Sequence, residues 1–284
     1  MRSGLRSLLF IPGDDERKLS RAVESEADAL ILDLEDSVSP RAKPAAREQV
    51  LAFLAQPGTA VWPRPAFVRV NGVDTPWFRD DVDALIEAGV TAIMQPKSAA
   101  RSVADWPAGV EVFALIETAR GVEEALAVAE TGCVRRLMLG SADLAAELGI
   151  PLRDDEQALV YPRSRLAMCS AAAGIEGPVD VVSLAVRDLR LLRESAVRAK
   201  GLGFTGKACI HPAQVPPVNE IFTPAEAEVS WARGVLDAFD AAEASGAGVT
   251  VFGGQMVDAP VVTRAHRILA AMASANFITI VSIK

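Results

Sequence analysis

Apolar residues in this chain gather into eight short runs, whose exits carry Gly13, Glu35 with Asp36, Arg69 with Asn71, Lys97, Glu117, Asp143, Ser183 and His211. The runs are SLLFIPG (7–13), ALILDLED (29–36), AFVRVN (66–71), AIMQPK (92–97), EVFALIET (111–118), RLMLGSAD (136–143), VDVVSL (179–184) and KACIHP (207–212). Near-continuous apolar runs of this length read as strands buried on both faces. Between them lie stretches of helical character, such as DDERKLSRAVESEA, with Asp14 or Asp15 as its N-cap, and RDLRLLRESAVRAKGLG. Gly89, Gly132, Gly174 and Gly201 stand where helices would close. The alternation predicts βαβ units and a parallel sheet. Eight units favour a closed (β/α)8 TIM barrel over an open doubly wound sheet. The open sheet would want GxGxxG after the first strand, where PGDDER stands, and no phosphate-binding GxxxxGK[ST] occurs.

Beyond residue 212 the pattern changes. TPAEAEVSWARGVLDAFDAAEASG reads as a long amphipathic helix, GAGVTVFGGQMVDAP as a Gly-rich turn or short hairpin, and APVVTRAHRILAAMASA as a last helix. The expected division is a catalytic barrel domain over 1–215 and a helical or lid extension over 216–284 that contributes to subunit contacts.

Composition narrows the class. A chain of 284 residues, 50% hydrophobic with mean hydropathy +0.24, is long enough for one barrel, which needs roughly 250 residues. A net charge of −8 and a pI near 5.0, without a Lys/Arg cluster, argue against nucleic acid as a partner. No run approaches the roughly 20 apolar residues that span a bilayer, and the N-terminal apolar stretch is too short for a signal peptide, so no membrane partner is expected. Cys133, Cys169 and Cys209 are odd in number and lack a CxxC, which points to buried thiols and a cytoplasmic location.

The run exits carry the candidate chemistry, because a barrel of this kind keeps its active site at the C-terminal ends of its strands. With only His211 and His266 present, a His-rich metal site and a Ser-His-Asp triad are both disfavoured. Any metal must rest on carboxylates, which favours Mg2+, with Mn2+ as the alternative. Glu117 and Asp143 end neighbouring strands five and six and would sit side by side at the mouth. Glu35 and Asp36 would bind metal waters or cap the following helix. Arg69 would hold a substrate carboxylate or an enolate oxygen, or pair with Glu35 or Asp36. Lys97 raises a Schiff-base aldolase or an ion pair with a mouth carboxylate. His211 reads as a structural residue or a ligand contact. Asp258, beside Gly253 and Gly254, would be a general acid/base carried on a swinging loop.

RSLLFIPG, ILDLEDSV, VRVN, PK, IETARG, GSADLAAELG, GKACIHPAQV and GQMVDAP, in this order, resemble the citrate lyase beta-subunit family within the HpcH/HpaI aldolase superfamily, over nearly the whole chain. The resemblance implies an Mg2+-dependent barrel that makes or breaks a carbon–carbon bond beside a coenzyme A or acyl-carrier thioester. It makes Glu117 and Asp143 the metal ligands. Arg69 becomes the contact to the keto-acid portion, and Asp258 the acid/base, often reaching a neighbouring subunit's site. Phe10, Arg17 and Arg21 would lie near substrate and the coenzyme A phosphates, and Ile210 and His211 beside the pantetheine arm. Ala142 stands where many relatives carry an acid, and Phe10 where some carry Tyr.

The expected activity is cleavage of a citryl, citramalyl or malyl thioester into a keto acid and acetyl- or acyl-CoA. The alternatives are a thioesterase on the same scaffold, a Schiff-base aldolase, or a citryl-acyl-carrier lyase subunit active only in a larger complex. A tail carrying a catalytic acid points to a homotrimer or larger.

Overall fold

A computed structural model of the chain describes residues 4–55, 64–103 and 106–281. In chain order the elements are β1 (Ser7–Pro12), α1 (Glu16–Ala22), β2 (Ala29–Asp33), α2 (Lys43–Ala55), β3 (Ala66–Arg69), α3 (Phe78–Glu87), β4 (Ala92–Gln95), α4 (Ala100–Val103), β5 (Glu111–Ile116), α5 (Ala119–Glu123), α6 (Ala125–Ala129), β6 (Val134–Leu139), α7 (Ser141–Leu148), α8 (Val160–Ala172), β7 (Val179–Asp180), α9 (Leu189–Gly201), β8 (Gly206–Cys209), α10 (Val215–Phe222), α11 (Glu226–Ala244), β9 (Thr250–Phe252), β10 (Gln255–Val257) and α12 (Ala259–Val281). Strands β1 to β8 pair in parallel, each with the next, and β8 returns to β1. The eight apolar runs are therefore the eight staves of one closed barrel.

Strand alternation sorts the side chains into two layers. Leu30 and Leu32, Val68, Val112 and Ala114 point outward, into a core shared with the helices. Ala29 and Ile31, Phe67, Met94, Phe113, Leu115 and Met138 fill the barrel interior. Phe67 meets Phe113 edge to face, with ring centroids 5.1 Å apart, a pair contributing ~0.5–1.5 kcal/mol beyond its buried area. Parity then assigns the next inward positions. Two residues beyond Ile31, Phe67 and Leu115 stand Asp33, Arg69 and Glu117, all buried polar residues at the C-terminal mouth. Two residues before Met138, Arg136 closes the opposite end, donating to the carbonyls of Gly177 (2.7 Å) and Leu5 (3.1 Å).

The helices differ from the predicted pattern in detail. Asp15 caps α1, its carboxylate accepting from the Lys18 N–H. Gly89 and Gly174 close helices with positive φ, but Gly201 lies within α9, and Gly203 (φ 94°) makes that turn. The segment after β5 forms two short helices, α5 and α6, broken at Glu124. Two helices went unpredicted. SADLAAEL, read as a strand exit, is α7, which ends on left-handed Gly149. VPPVNEIF, whose prolines suit only a first turn, is α10. Because α10 packs on α9 and β1, the compact barrel unit runs Leu5–Phe222, seven residues past the predicted boundary at 215.

The second unit, Thr223–Lys284, holds α11, the β9–β10 hairpin and α12 around Ala232, Val235, Val257 and Ala265. Gly253 and Gly254 are its two-residue turn, with φ of 57° and 77°. That is the tight turn a right-twisted hairpin prefers, and the short hairpin expected for GAGVTVFGGQMVDAP is present.

Candidate active site

Arg69 organises the barrel mouth. Its Nε and Nη2 donate to Asp33 Oδ1 and Oδ2, both at 2.6 Å, while Nη1 lies 2.8 Å from Glu35 Oε2 and 3.4 Å from Asp36 Oδ2. The guanidinium carbon sits 5.0 Å from the centre of the Phe10 ring. Burial works against the charge, but the Asp33, Glu35 and Asp36 carboxylates outweigh it and raise the Arg69 pKa further. Asp33, whose burial would raise it, is instead held low by the Arg69 charge and hydrogen bonds. Glu35 is pushed up, chiefly by burial. Asp33 was not singled out from the sequence, although its place two residues after Ile31 marks it as inward-facing.

Glu35 and Asp36 do not cap a helix, since α2 begins only at Lys43. The turn carrying them is tied down from both sides. Asp33 accepts from the Glu35 and Ser37 N–H groups, and buried Lys43 donates to the Leu34 and Glu35 carbonyls, both at 2.9 Å.

Lys97 adopts φ 47°, an uncommon conformation for a residue with a side chain, and serves two carboxylates from there. Its N–H donates to Glu117 Oε1 (2.8 Å) and its Nζ to Glu35 Oε1 (3.0 Å). Burial lowers its pKa less than the Glu35 contact raises it, so the amine is held protonated. A Schiff-base lysine needs the opposite, and the ion-pair reading is the one the geometry favours.

Glu117 is buried and Asp143 half-buried, and both line one cavity of about 410 Å3 together with Phe10, Asp33, Asp36 and Arg69. Asp143 is not a strand end. It lies in the first turn of α7, where the helix N-terminus favours a carboxylate. Gly140, just before α7, has no side chain to spare: a Cβ there would lie 2.5 Å from Glu117 Cβ and 2.7 Å from Glu117 Oε2. Burial, foremost, and then the Glu35 and Asp143 charges push the Glu117 carboxyl up to about 8. These carboxylates crowd a pocket short of positive charge. Among the described residues no group of three or more His, Cys, Asp or Glu forms a metal cage. Two carboxylates leaving room for water and substrate are the donor set of a hard divalent cation such as Mg2+.

A second groove, of about 670 Å3, shares Phe10, Pro12 and Ile210 with the first and is lined further by Arg17, Lys18, Arg21 and His211. Arg17 and Arg21 are exposed on α1. His211 Nδ1 accepts from the Ala213 N–H (3.1 Å), which caps the following turn. Asp258 belongs to the second unit, at the end of β10, where its Oδ1 accepts from the Val261 N–H (3.3 Å). The cysteines are free, and burial pushes the Cys209 thiol up to about 12, as suits an inert thiol.

A model of the HpcH/HpaI aldolase/citrate lyase family matches residues 6–212. A (3S)-malyl-CoA thioesterase of Cereibacter sphaeroides is 38% identical over 93% of this chain and 93% of its own length. The citrate lyase subunit beta of Escherichia coli is 33% identical over 93% and 92%. The crystal structure of CitE from Mycobacterium tuberculosis with magnesium, acetoacetate and coenzyme A superposes with TM-score 0.82 at 34% identity, covering 96% of this chain and all of that one.

Proposed function

The chain belongs to the HpcH/HpaI aldolase/citrate lyase family, and from that premise we propose that it is an Mg2+-dependent carbon–carbon lyase acting on a 3-hydroxy-3-carboxyacyl coenzyme A thioester. The observation that carries this reading is the one cavity that Glu117, Asp143 and Arg69 line together. Glu117 and Asp143 would hold the ion. Bound there, Mg2+ would acidify the substrate hydroxyl and offset charge on the forming keto acid.

The remaining work falls to the protein. A base takes the hydroxyl proton, the hydroxyl-bearing carbon becomes a carbonyl, and the adjacent carbon–carbon bond breaks. The electron pair passes to the thioester enolate, whose carbon takes a proton to give the acyl-CoA product, and we assign that proton to Asp258 reaching in from a neighbouring subunit. Arg69, preorganised by Asp33 in a buried site, stabilises negative charge as it shifts without reorganising at the moment of reaction. Arg17 and Arg21 would meet the coenzyme A phosphates, and Ile210 and His211 would pass the pantetheine arm along the second groove.

The test is a panel of malyl, citramalyl, methylmalyl and citryl thioesters of coenzyme A, assayed for keto-acid release with Mg2+ and with EDTA. Release that needs Mg2+ supports the reading. Hydrolysis with the carbon skeleton intact would instead establish the thioesterase reading, which the resemblance to the Cereibacter enzyme favours. Inertness toward every free thioester would point to an acyl-carrier partner in a larger complex. A homotrimer or larger assembly and a cytoplasmic location complete the proposal.

A further inference from the structure

We infer that Gln214 is a positioning residue for the pantetheine arm of coenzyme A. It ties the exits of β7 and β8 together and so fixes the wall along which the arm reaches the barrel mouth. The inference rests on the coenzyme A part of the proposed function. Gln214 itself is fully buried and lines neither cavity, so it acts through the residues it holds.

The need for such a tie follows from the strands. β7 is the shortest of the eight staves, two residues long, and its register with β6 is the single pair Met138–Val179. Its register with β8 ends at Asp180 opposite Lys207. Val182, two residues further on, nevertheless lines the mouth cavity. The register of β8 with β1 ends at Cys209, and the next residue, exposed Ile210, lines both cavities. Both walls therefore project past the ladders that hold their strands.

Gln214 holds them from behind. Its Oε1 accepts from the Ile210 N–H at 2.9 Å, and its Nε2 donates to the Ser183 carbonyl, next to Val182, at 3.1 Å. The Gln214 N–H donates to the His211 carbonyl (3.0 Å), closing the turn that carries its side chain back to Ile210. The two partners fix the orientation of the amide, because a flip would set oxygen against oxygen and donor against donor. One side chain thus replaces the ladder bonds that β7 and β8 lack at their exits. Without it, the Ile210 N–H and the Ser183 carbonyl would turn to water, since backbone polar groups do not stay unpaired. Ile210 would then have to be ordered when the arm binds, and that cost would appear as lost affinity.

The experiment titrates the full-length protein and its Gln214→Met variant by calorimetry, below the melting transition of each. Methionine keeps the length of the side chain and removes both bonds. The ligands are coenzyme A and adenosine 3′,5′-bisphosphate, which carries phosphates but no pantetheine arm. Coenzyme A should bind the variant at least ~10-fold more weakly, the scale of one or two lost hydrogen bonds, while the bisphosphate binds as to the parent. Unchanged coenzyme A affinity overturns the inference. An equal loss for both ligands also overturns it, by making Gln214 a general support of the barrel. A parent protein that binds no coenzyme A removes the premise itself. Gln214→Glu is nearly isosteric, keeps the acceptor for Ile210 and loses the donor for Ser183. It should show a partial loss confined to coenzyme A, and it carries the test if the methionine variant does not fold. Parental coenzyme A affinity in the folded Gln214→Glu variant would refute the tie between the two exits.

Discussion

Asp33 grips Arg69 through two parallel hydrogen bonds, Nε to Oδ1 and Nη2 to Oδ2, each 2.6 Å long. The fork fixes the plane of the guanidinium as well as its charge. Both residues are buried, so the pair has few alternatives to this geometry.

Replacing Asp33 by Asn should therefore cost both stability and rate. Removing one partner of a buried ion pair costs up to about 3–5 kcal/mol, and the loss here stays below that because Glu35 and Asp36 still face Nη1. Thermal melting should shift down, and kcat should fall by ~100-fold or more, since Arg69 is asked to act only where charge develops. An Asp33→Asn variant with wild-type kcat would show that Arg69 needs no such support.

Gly140 tests the packing behind Glu117. In Gly140→Ala the new methyl would overlap Glu117 Cβ and Oε2, and one of them must move. The Mg2+ concentration for half-maximal activity should rise by about 10-fold or more, in the range seen when groups supporting metal ligands are changed. An unshifted Mg2+ titration in the folded variant would argue that Glu117 does not hold the ion.

Asp258 separates binding from chemistry. The Asp258→Asn variant should bind Mg2+ and a thioester analogue as the parent does and lose turnover by ~100-fold or more, the scale of a general acid. Its side chain can still accept the Val261 N–H, so the start of α12 is preserved. Retained turnover would remove the acid/base assignment.

Acid should act on the fold through Asp180. Burial would raise this carboxyl, but the charges of Lys207 (2.6 Å) and Arg163 (2.8 Å) hold it below the ordinary value of 3.8. A depressed pKa contributes stability that is fully present above the unfolded value and is lost as pH falls below 3.8 through the folded one. Denaturant midpoints measured against pH should drop over that acidic window. The Asp180→Asn variant should be less stable at neutral pH and show a flatter acidic limb. An equally steep limb in the variant would assign the acid sensitivity elsewhere.

The polar mouth was only partly legible in the chain. Glu117 and Arg69 announce themselves because each interrupts an apolar run at its exit. Asp33 does the same one turn of alternation earlier, yet the following LED draws attention to Glu35 and Asp36, which flank the fork rather than form it. Asp143 looked like a strand exit because SAD continues the apolar run, whereas the backbone has already turned into α7 at Ser141. The double glycine was legible as a turn or short hairpin, and its two positive φ values are those of a tight hairpin turn.

Periodicity alone determined the eight staves, their order and the end at which their polar residues gather, because burial on both faces and inward–outward alternation are local properties of a strand. The match of segments to a known family added the expected chemistry. Which carboxylate holds Arg69, how the Lys97 backbone reaches Glu117, and why Gly140 can carry no side chain were decided only when β2, β3, β4, β5 and β6 came together. Those contacts join residues distant in the chain. Their strength depends on distances of a few ångströms and on the exclusion of water, neither of which a linear pattern contains.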